Sequence, residues 1–262
     1  MHWHCHDVFN RTPPRAVAGG IAVVIDVLRA STTIIAALAH GAARVRPVPT
    51  VDLARALAAC GGPGSGMLLG GERGGLRIDG FDLGNSPLDY TPARVGGRSI
   101  VITTTNGTAA LHACTAAAEV LVGAIVNRSA VAARARSLAL YRSTPDIHLV
   151  CAGTDGAVTE EDLLAAGAIL DAAAQHPDGH TDTLDASARA ALENFRETSA
   201  ASVGDLPRGI AAALTLSRGG SNLIALGMEA DLRAASEIDT LAIVPRLNGS
   251  TGWLSTDGPN PA

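Results

Sequence analysis

Lysine is absent from this 262-residue chain, whose 20 basic residues are all arginine. A phosphate-loop nucleotide site requires lysine, so that class is excluded. Schiff-base chemistry on a lysine amine is excluded with it. No G-x-G-x-x-G turn follows the first apolar run, which argues against a dinucleotide-dependent dehydrogenase. The four cysteines, Cys5, Cys60, Cys114 and Cys151, form no C-x-x-C pair. They indicate neither a zinc ribbon nor a redox motif and read as small buried hydrophobes. No apolar run approaches the ~20 residues of a membrane helix. The opening "MHWHCHDVFN" lacks the basic-then-apolar pattern of a signal peptide, so a cytoplasmic location is expected. The arginines are scattered and the formal net charge is -5. No basic stripe for nucleic acid is present.

What the chain has is alternation. "IAVVI" (21–25), "SIVIT" (99–103), "EVLVGAIV" (119–126) and "IHLVCAG" (147–153) are short apolar runs rich in β-branched residues. They read as strands covered on both faces. Helical patterns separate them. "STTIIAALAHG" has Ser31 as N-cap and Gly41 as stop, and "TVDLARALAACGG" has Thr50 and Gly61 in the same roles. "TEEDLLAAGAILDAAAQ" puts Leu163, Gly167 and Leu170 on one stripe. The alternation predicts an α/β fold, a three-layer αβα arrangement on a mostly parallel sheet. Residues 21–59 and 99–139 run alike as strand, helix, strand, helix. An internal duplication is therefore expected within one domain spanning 1–262, with halves of about 1–95 and 96–262. The chain becomes more helical after residue 175. "LAIVPRL" (241–247) reads as a late strand, and 251–262 as a flexible tail.

Ligands in open α/β sheets bind beyond the carboxyl ends of the strands. "DVLRASTT" follows the first run, "TTTNGT" (103–108) the second, and "AGTDG" (152–156) the fourth. A fourth segment, "GGERGGLRIDGFDLGNSP" (70–87), shows no period long enough for a core element. Structureless loops of that length in compact domains are usually functional. All four segments carry hydroxyls, amides, glycines or a guanidinium suited to an oxyanion. In "TTTNGTAAL", the free N–H groups of a helix start, Gly107 and the side chains of Thr105, Asn106 and Thr108 make a phosphate or carboxylate cradle. A capped helix whose threonines close the turn fits that stretch equally.

Other patterns point less far. Asp26 in "IDVLRAST" suggests a haloacid-dehalogenase-type nucleophile, but the second aspartate is replaced by Leu28. A cysteine phosphatase fails because Ala157 stands where arginine should follow Cys151. His2, His4 and His6 alternate on one strand face and read as polar outer positions rather than a metal site. Glu160, Glu161 and Asp162 sit in a first helical turn behind Thr159. There acids favour the dipole and Asp162 can complete a capping box, a reading preferred over metal binding.

Taken together, "VVIDVLRASTTI", "GERGGLRIDGFDLGNSP", "TTTNGTAAL", "CAGTDG…EDLLAAG" and "SRGGSNL…G…DL" resemble the 2-phosphosulfolactate phosphatase family in content and order, over about residues 20–247. The resemblance implies a Mg2+-dependent phosphatase that hydrolyses 2-phospho-3-sulfolactate to sulfolactate and phosphate, a step in coenzyme M biosynthesis. Uncatalysed hydrolysis of phosphate monoesters needs accelerations up to ~10²¹-fold. A helix dipole contributes only ~0.3–1 kcal/mol at an exposed site, so charged clamps are required. On that footing Asp26, Arg29, Glu72, Arg73 and Asp82 are the expected catalytic residues, with Asp26, Glu72 and Asp82 as magnesium ligands. Asp26 either attacks phosphorus or holds the metal. Ser31, Thr32, Asn85, Ser86, Thr105, Asn106, Gly107, Thr108, Gly153 and Thr154 are the expected substrate-binding residues. The partner is a small phosphorylated acid, with neither nucleic acid nor membrane involved. A homo-oligomer is compatible with the resemblance, but no heptad or exposed apolar stripe specifies one. A non-catalytic sensor of small phosphorylated acids is the competing reading.

Overall fold

The apolar runs are strands, and every residue of Ile21–Ile25 is buried, as a strand covered by helices on both faces requires. The structure, a computed structural model, describes residues 1–60, 66–202 and 204–256. Among them the strands are β1 (His2–His6), β2 (Ile21–Ile25), β3 (Arg44–Pro47), β4 (Leu68–Arg73), β5 (Leu76–Arg77), β6 (Ser99–Thr103), β7 (Glu119–Gly123), β8 (Asp146–Cys151), β9 (Thr183–Leu184), β10 (Arg246–Leu247) and β11 (Leu254–Ser255). The α-helices are α1 (Pro14–Val17), α2 (Ala30–Ala39), α3 (Val51–Cys60), α4 (Pro92–Val95), α5 (Gly107–Ala113), α6 (Arg128–Tyr141), α7 (Glu160–Ala174), α8 (Ala186–Ala201), α9 (Leu206–Leu216), α10 (Arg218–Ala225) and α11 (Glu229–Ser236).

One sheet runs in the order β5-β4-β6-β3-β11-β10-β7-β2-β8-β1-β9. It contains two parallel blocks, β4-β6-β3 and β7-β2-β8-β1-β9. Between them lies the antiparallel pair β10–β11, joined to each block through one register pair, Arg246↔Leu121 and Leu254↔Val45. Three successive antiparallel pairings make the two blocks run in opposite senses. The mostly parallel αβα expectation holds. The runs 21–59 and 99–139 have the expected element order, but their strands interleave: β2 pairs with β7 and β3 with β6.

Several local expectations need correction. The late strand is shorter than "LAIVPRL", starting only at Arg246. The expected tail begins with a strand: Leu254 is fully buried between the blocks, and the Arg44 guanidinium stacks 4.1 Å from the Trp253 ring. Residues 257–262 of that tail, and Gly61, expected to stop α3, lie outside the described residues. Thr50 does cap α3, accepting from Leu53 N at 3.2 Å. Ser31 is not the N-cap of α2, a place taken by Arg29. Cys5, Cys114 and Cys151 are buried, whereas Cys60 is exposed.

The loop 70–87 is also more regular than its composition suggests. Gly70 and Gly71 belong to β4, and a hairpin turns back at Gly74 (φ 60) and Gly75 (φ 81) into β5. Positive φ at both central residues is the type I′ geometry, which glycine adopts at no steric cost. Gly71 is there for another reason: a Cβ would stand 2.1 Å from the Thr103 carbonyl oxygen. The strand is glycine-rich because it must lie close against β6.

Gly167, read as part of an apolar helix stripe, lies where α7 meets α8, and a Cβ there would stand 2.1 Å from the Ala191 carbonyl oxygen. Substituting Gly167→Ala forces two backbones apart and is expected to destabilise the fold by about 1–3 kcal/mol despite alanine's better helix propensity. Urea unfolding measures this, and a neutral or stabilised variant would contradict it.

Candidate active site

The carboxyl ends of β2, β4, β6 and β8 open onto one cavity of about 500 Å³. Asp26 and Arg29 enter it from the turn after β2, Glu72 from the end of β4, and Asn85 from the loop before residues 87–89. Thr105 and Asn106 follow β6, Gly153 and Thr154 follow β8, Glu161 and Asp162 open α7, and Gly219 and Asn222 lie on α10. The three turns near 26–32, 72–86 and 103–108 therefore share a cleft.

Five carboxylates line this space. Asp155 is exposed and pairs with Arg218 at 2.8 Å, and the other four divide by what their oxygens touch. Asp162 accepts from Val27 N (2.9 Å) with one oxygen and from Gly153 N (2.9 Å) with the other, tying the ends of β2 and β8 together. It makes no capping box: its contact to Thr159 is to the hydroxyl, at 3.3 Å. Glu72 is also spent. Its Oε1 accepts from Thr105 N (2.8 Å) and the Thr105 hydroxyl (3.0 Å), and its Oε2 from Gly75 N (2.9 Å). It clamps the hairpin to the turn after β6.

Asp26 and Glu161 differ. Asp26 Oδ1 accepts from Ala30 N at 3.1 Å, while Oδ2 packs where a Cβ on Gly107 would stand, 2.6 Å away. Glu161 Oε1 accepts from Gly219 N at 3.0 Å. Its Oε2 is buried without a hydrogen-bond partner, and so is Asn85 Oδ1. A buried acceptor left unpaired costs free energy that a ligand can recover. Burial pushes all three strained carboxyls upward: Asp26 to about 7, Glu161 in the same direction, and Asp162 well above the ordinary range. For Asp26 the Ala30 N–H opposes this, Glu72 and Glu161 add to it, and Arg29 lowers it.

An oxygen-rich, electron-dense pocket with unpartnered carboxylate oxygens fits a hard divalent cation. Among the described residues no group of three His, Cys, Asp or Glu side chains stands ready to enclose one. Magnesium fits such a site because it commonly takes one or two carboxylates and keeps waters and substrate oxygens in its other positions.

Arg29 is nearly buried, with Nη1 donating to Asp231 Oδ2 at 2.7 Å and Nη2 to the Gly75 carbonyl at 2.6 Å. The other expected residues fall elsewhere. Asp82 is exposed and outside the cavity, its Oδ2 accepting from Leu69 N at 2.8 Å, so it is withdrawn as a metal ligand. Arg73 braces the carbonyls of Glu72 and Thr103 rather than lining the cavity. Ser31 and Thr32 are buried and donate to the Val24 and Val27 carbonyls. Thr108 donates to the Thr104 carbonyl, closing its turn as a cap does. Ser86 donates to Asp231 Oδ1 at 2.6 Å. These hydroxyls satisfy the backbone or a neighbouring carboxylate instead of a ligand.

Sequence reasoning passed over Glu161 and Asp162 as cavity residues, and it quoted Gly219, Asn222 and Asp231 only within "SRGGSNL…G…DL", with no role assigned. The signal for the first pair was their place just beyond a strand-end turn. The signal for Gly219 was the glycine pair in "SRGG": a Cβ on Gly219 would stand 2.2 Å from Glu161 Oε1. The N-terminal histidines pair locally, His4 with Asp146 at 3.0 Å and His6 with His148 at 3.2 Å.

A family model described as 2-phosphosulpholactate phosphatase matches residues 7–250. A "Probable 2-phosphosulfolactate phosphatase" of Symbiobacterium thermophilum is 42% identical over 236 residues, covering 90% of this chain and 94% of its own. A protein of Synechococcus sp. strain RCC307 with the same name is 42% identical over 250 residues, with the same coverage of 90% and 94%. One of Deinococcus radiodurans, again so named, is 40% identical over 228 residues and covers 87% of each chain. Among the described residues no helix is long and apolar enough to cross a membrane.

The raised carboxyl of Asp26 has a consequence for stability. Without divalent cations the folded chain holds a proton there between the ordinary 3.8 and about 7. Its contribution is therefore most favourable below pH 3.8 and is lost as pH rises through 7. Asp26→Asn keeps the shape and removes the buried charge. In EDTA it is expected to gain roughly 1–3 kcal/mol at pH 8 and little at pH 4. Thermal unfolding at the two pH values checks this, and a loss at pH 8 would refute it.

Proposed function

The chain belongs to the 2-phosphosulfolactate phosphatase family of phosphoric monoester hydrolases, and on that premise we propose that it is a magnesium-dependent phosphatase acting on 2-phospho-3-sulfolactate. The products are sulfolactate and inorganic phosphate: a water oxygen joins phosphorus, the bond from phosphorus to the ester oxygen breaks, and that oxygen takes a proton. The observation that carries the reading is the buried, unpartnered Oε2 of Glu161, which lines one cavity with Asp26 and Arg29. A sensor of the same ligands has no need of unpaired, strained carboxylates next to a guanidinium.

Glu161 and Asp26 would hold the magnesium, which when bound supplies a Lewis acid that offsets charge on the phosphoryl oxygens. Glu72 and Asp162, whose oxygens are already taken by backbone N–H groups, position the turns instead. Arg29 presents a planar donor edge to an oxyanion. The Asn106 and Asn222 amides lie on the cavity wall and offer further donors to an acid carrying more than one anionic group. The hairpin tip at Gly74–Gly75 and the side chains of Leu223 and Leu226 narrow the space, excluding water and strengthening each charge contact.

Phosphate release from 2-phospho-3-sulfolactate, phospholactate and phosphoglycolate, with magnesium or with EDTA, tests this. Turnover is expected with magnesium only and fastest on the sulfonate. Glu161→Gln is expected to lower kcat/KM by about a hundredfold, and Asp82→Ala to leave it near the parent value. Full turnover in EDTA, or an undiminished Glu161→Gln variant, would overturn the reading.

A further inference from the structure

Arg29 is the one guanidinium lining the cavity among the described residues. Its charge has two destinations. Within the cavity are carboxylates with spare oxygens, Asp26 and Glu161. Away from it is Asp231, in the first turn of α11, which takes Nη1 at 2.7 Å with both side chains only 3% exposed. The same Nη1 also meets Met228 Sδ at 2.9 Å, and Nη2 is held by the Gly75 carbonyl at 2.6 Å. Asp231 is fixed in turn: its other oxygen accepts from the Ser86 hydroxyl at 2.6 Å. Three distant segments thus set the plane of one side chain. Because a guanidinium is rigid, fixing two of its nitrogens fixes where the remaining N–H bonds point.

We propose that Asp231 is the positioning residue for Arg29, holding its guanidinium off the cavity carboxylates so that it receives the phosphate of the substrate instead of serving as an internal counter-ion. This rests on the phosphatase reading above. Asp231 itself does not line the cavity, so its effect is exerted through Arg29. Released from Asp231, the guanidinium is next attracted to Asp26, whose carboxyl it already influences. An Arg29–Asp26 pair would neutralise the anion-binding group and cover the carboxylate expected to hold the cation.

The test is binding of inorganic phosphate alone, by calorimetry in magnesium, together with steady-state kinetics. Asp231→Asn is expected to weaken phosphate about tenfold and to raise KM by a similar factor, with a smaller change in kcat. Ser86→Ala, which keeps the buried ion pair but loosens it, is expected to weaken phosphate two- to threefold. Glu229→Gln, exposed on the same helix, is the control expected to match the parent. If Asp231 merely cancels the charge of Arg29, Asp231→Asn binds phosphate more tightly, and the proposal fails. Unchanged phosphate affinity in Asp231→Asn also overturns it. Should that variant not fold, an unchanged Ser86→Ala does so alone. A parent protein that hydrolyses none of the three esters refutes the phosphatase reading, while the phosphate titrations still decide the role of Asp231.

Discussion

Carboxylates packed together out of water are the constraint around which this molecule is arranged. Asp26, Glu72, Glu161 and Asp162 all line one cavity, where burial pushes the carboxyls of Asp26, Glu161 and Asp162 upward. The fold gives two of them enough donors to remain and leaves two short. Asp162 and Glu72 receive backbone N–H groups on both oxygens, and in doing so each ties together the turns that leave two neighbouring strands, β2 and β8 for Asp162 and β4 and β6 for Glu72. Asp26 and Glu161 receive a backbone N–H on one oxygen and none on the other. The same chemical group thus braces turns at one pair of positions and keeps an oxygen free of backbone donors at the other, while burial raises the carboxyl of Asp162 as well as those of Asp26 and Glu161. Strain of that kind persists only where the surrounding structure over-determines it, and it is characteristic of reactive sites.

The sheet explains why so much polar bracing is needed. Its two parallel blocks run in opposite senses and meet through β10 and β11, which contribute one register pair to each side. Such a seam is too short to fix the blocks by ladder hydrogen bonds alone. Side chains complete the join. Glu119 at the start of β7 takes Arg246 of β10 and also Arg142. Arg44 of β3 stacks on Trp253. At the cavity, Arg29 after β2 reaches the Gly75 carbonyl in the hairpin after β4, and Asp231 takes the Ser86 hydroxyl. The polar network around the site is thus part of what holds the carboxyl ends of both blocks at one place.

Much of this was legible from the sequence, and the limits are physical. Strand positions were readable because doubly covered strands are continuous apolar runs. The convergence of the turns after β2, β4 and β6 followed from where α/β sheets bind ligands. What could not be read was the partner of each polar atom. Ser31, Thr32 and Thr108 are hydroxyls near the site, yet each donates to a carbonyl four to seven residues away. A serine or threonine at a turn has that local option available, and composition does not say when it takes it. Asp82 sits ten residues from Glu72 in a segment that looked like one loop. The hairpin turns that segment back on itself, so the aspartate faces outward. The glycines in that segment did carry information, of a different sort: Gly74 and Gly75 make the turn, and Gly71 makes room for β6.

Glu161 illustrates the converse error. An acid in the first turn of a helix is explained locally by the dipole and by capping, and that explanation is sufficient for Glu160, which is exposed. It is insufficient for Glu161, whose carboxylate is buried, touches Gly219 from a helix 58 residues later and leaves one oxygen unpaired. A dipole stabilises such a group by ~0.3–1 kcal/mol at a surface, less than the cost of an unsatisfied buried acceptor, about 1–3 kcal/mol and more when charged. The local reason cannot account for retaining a glutamate there. Burial also pushes the Glu161 carboxyl upward. On the phosphatase reading proposed above, a positively charged or donating guest in the cavity offsets the remaining cost, and the position is then explained by what the protein binds rather than by how its helix begins.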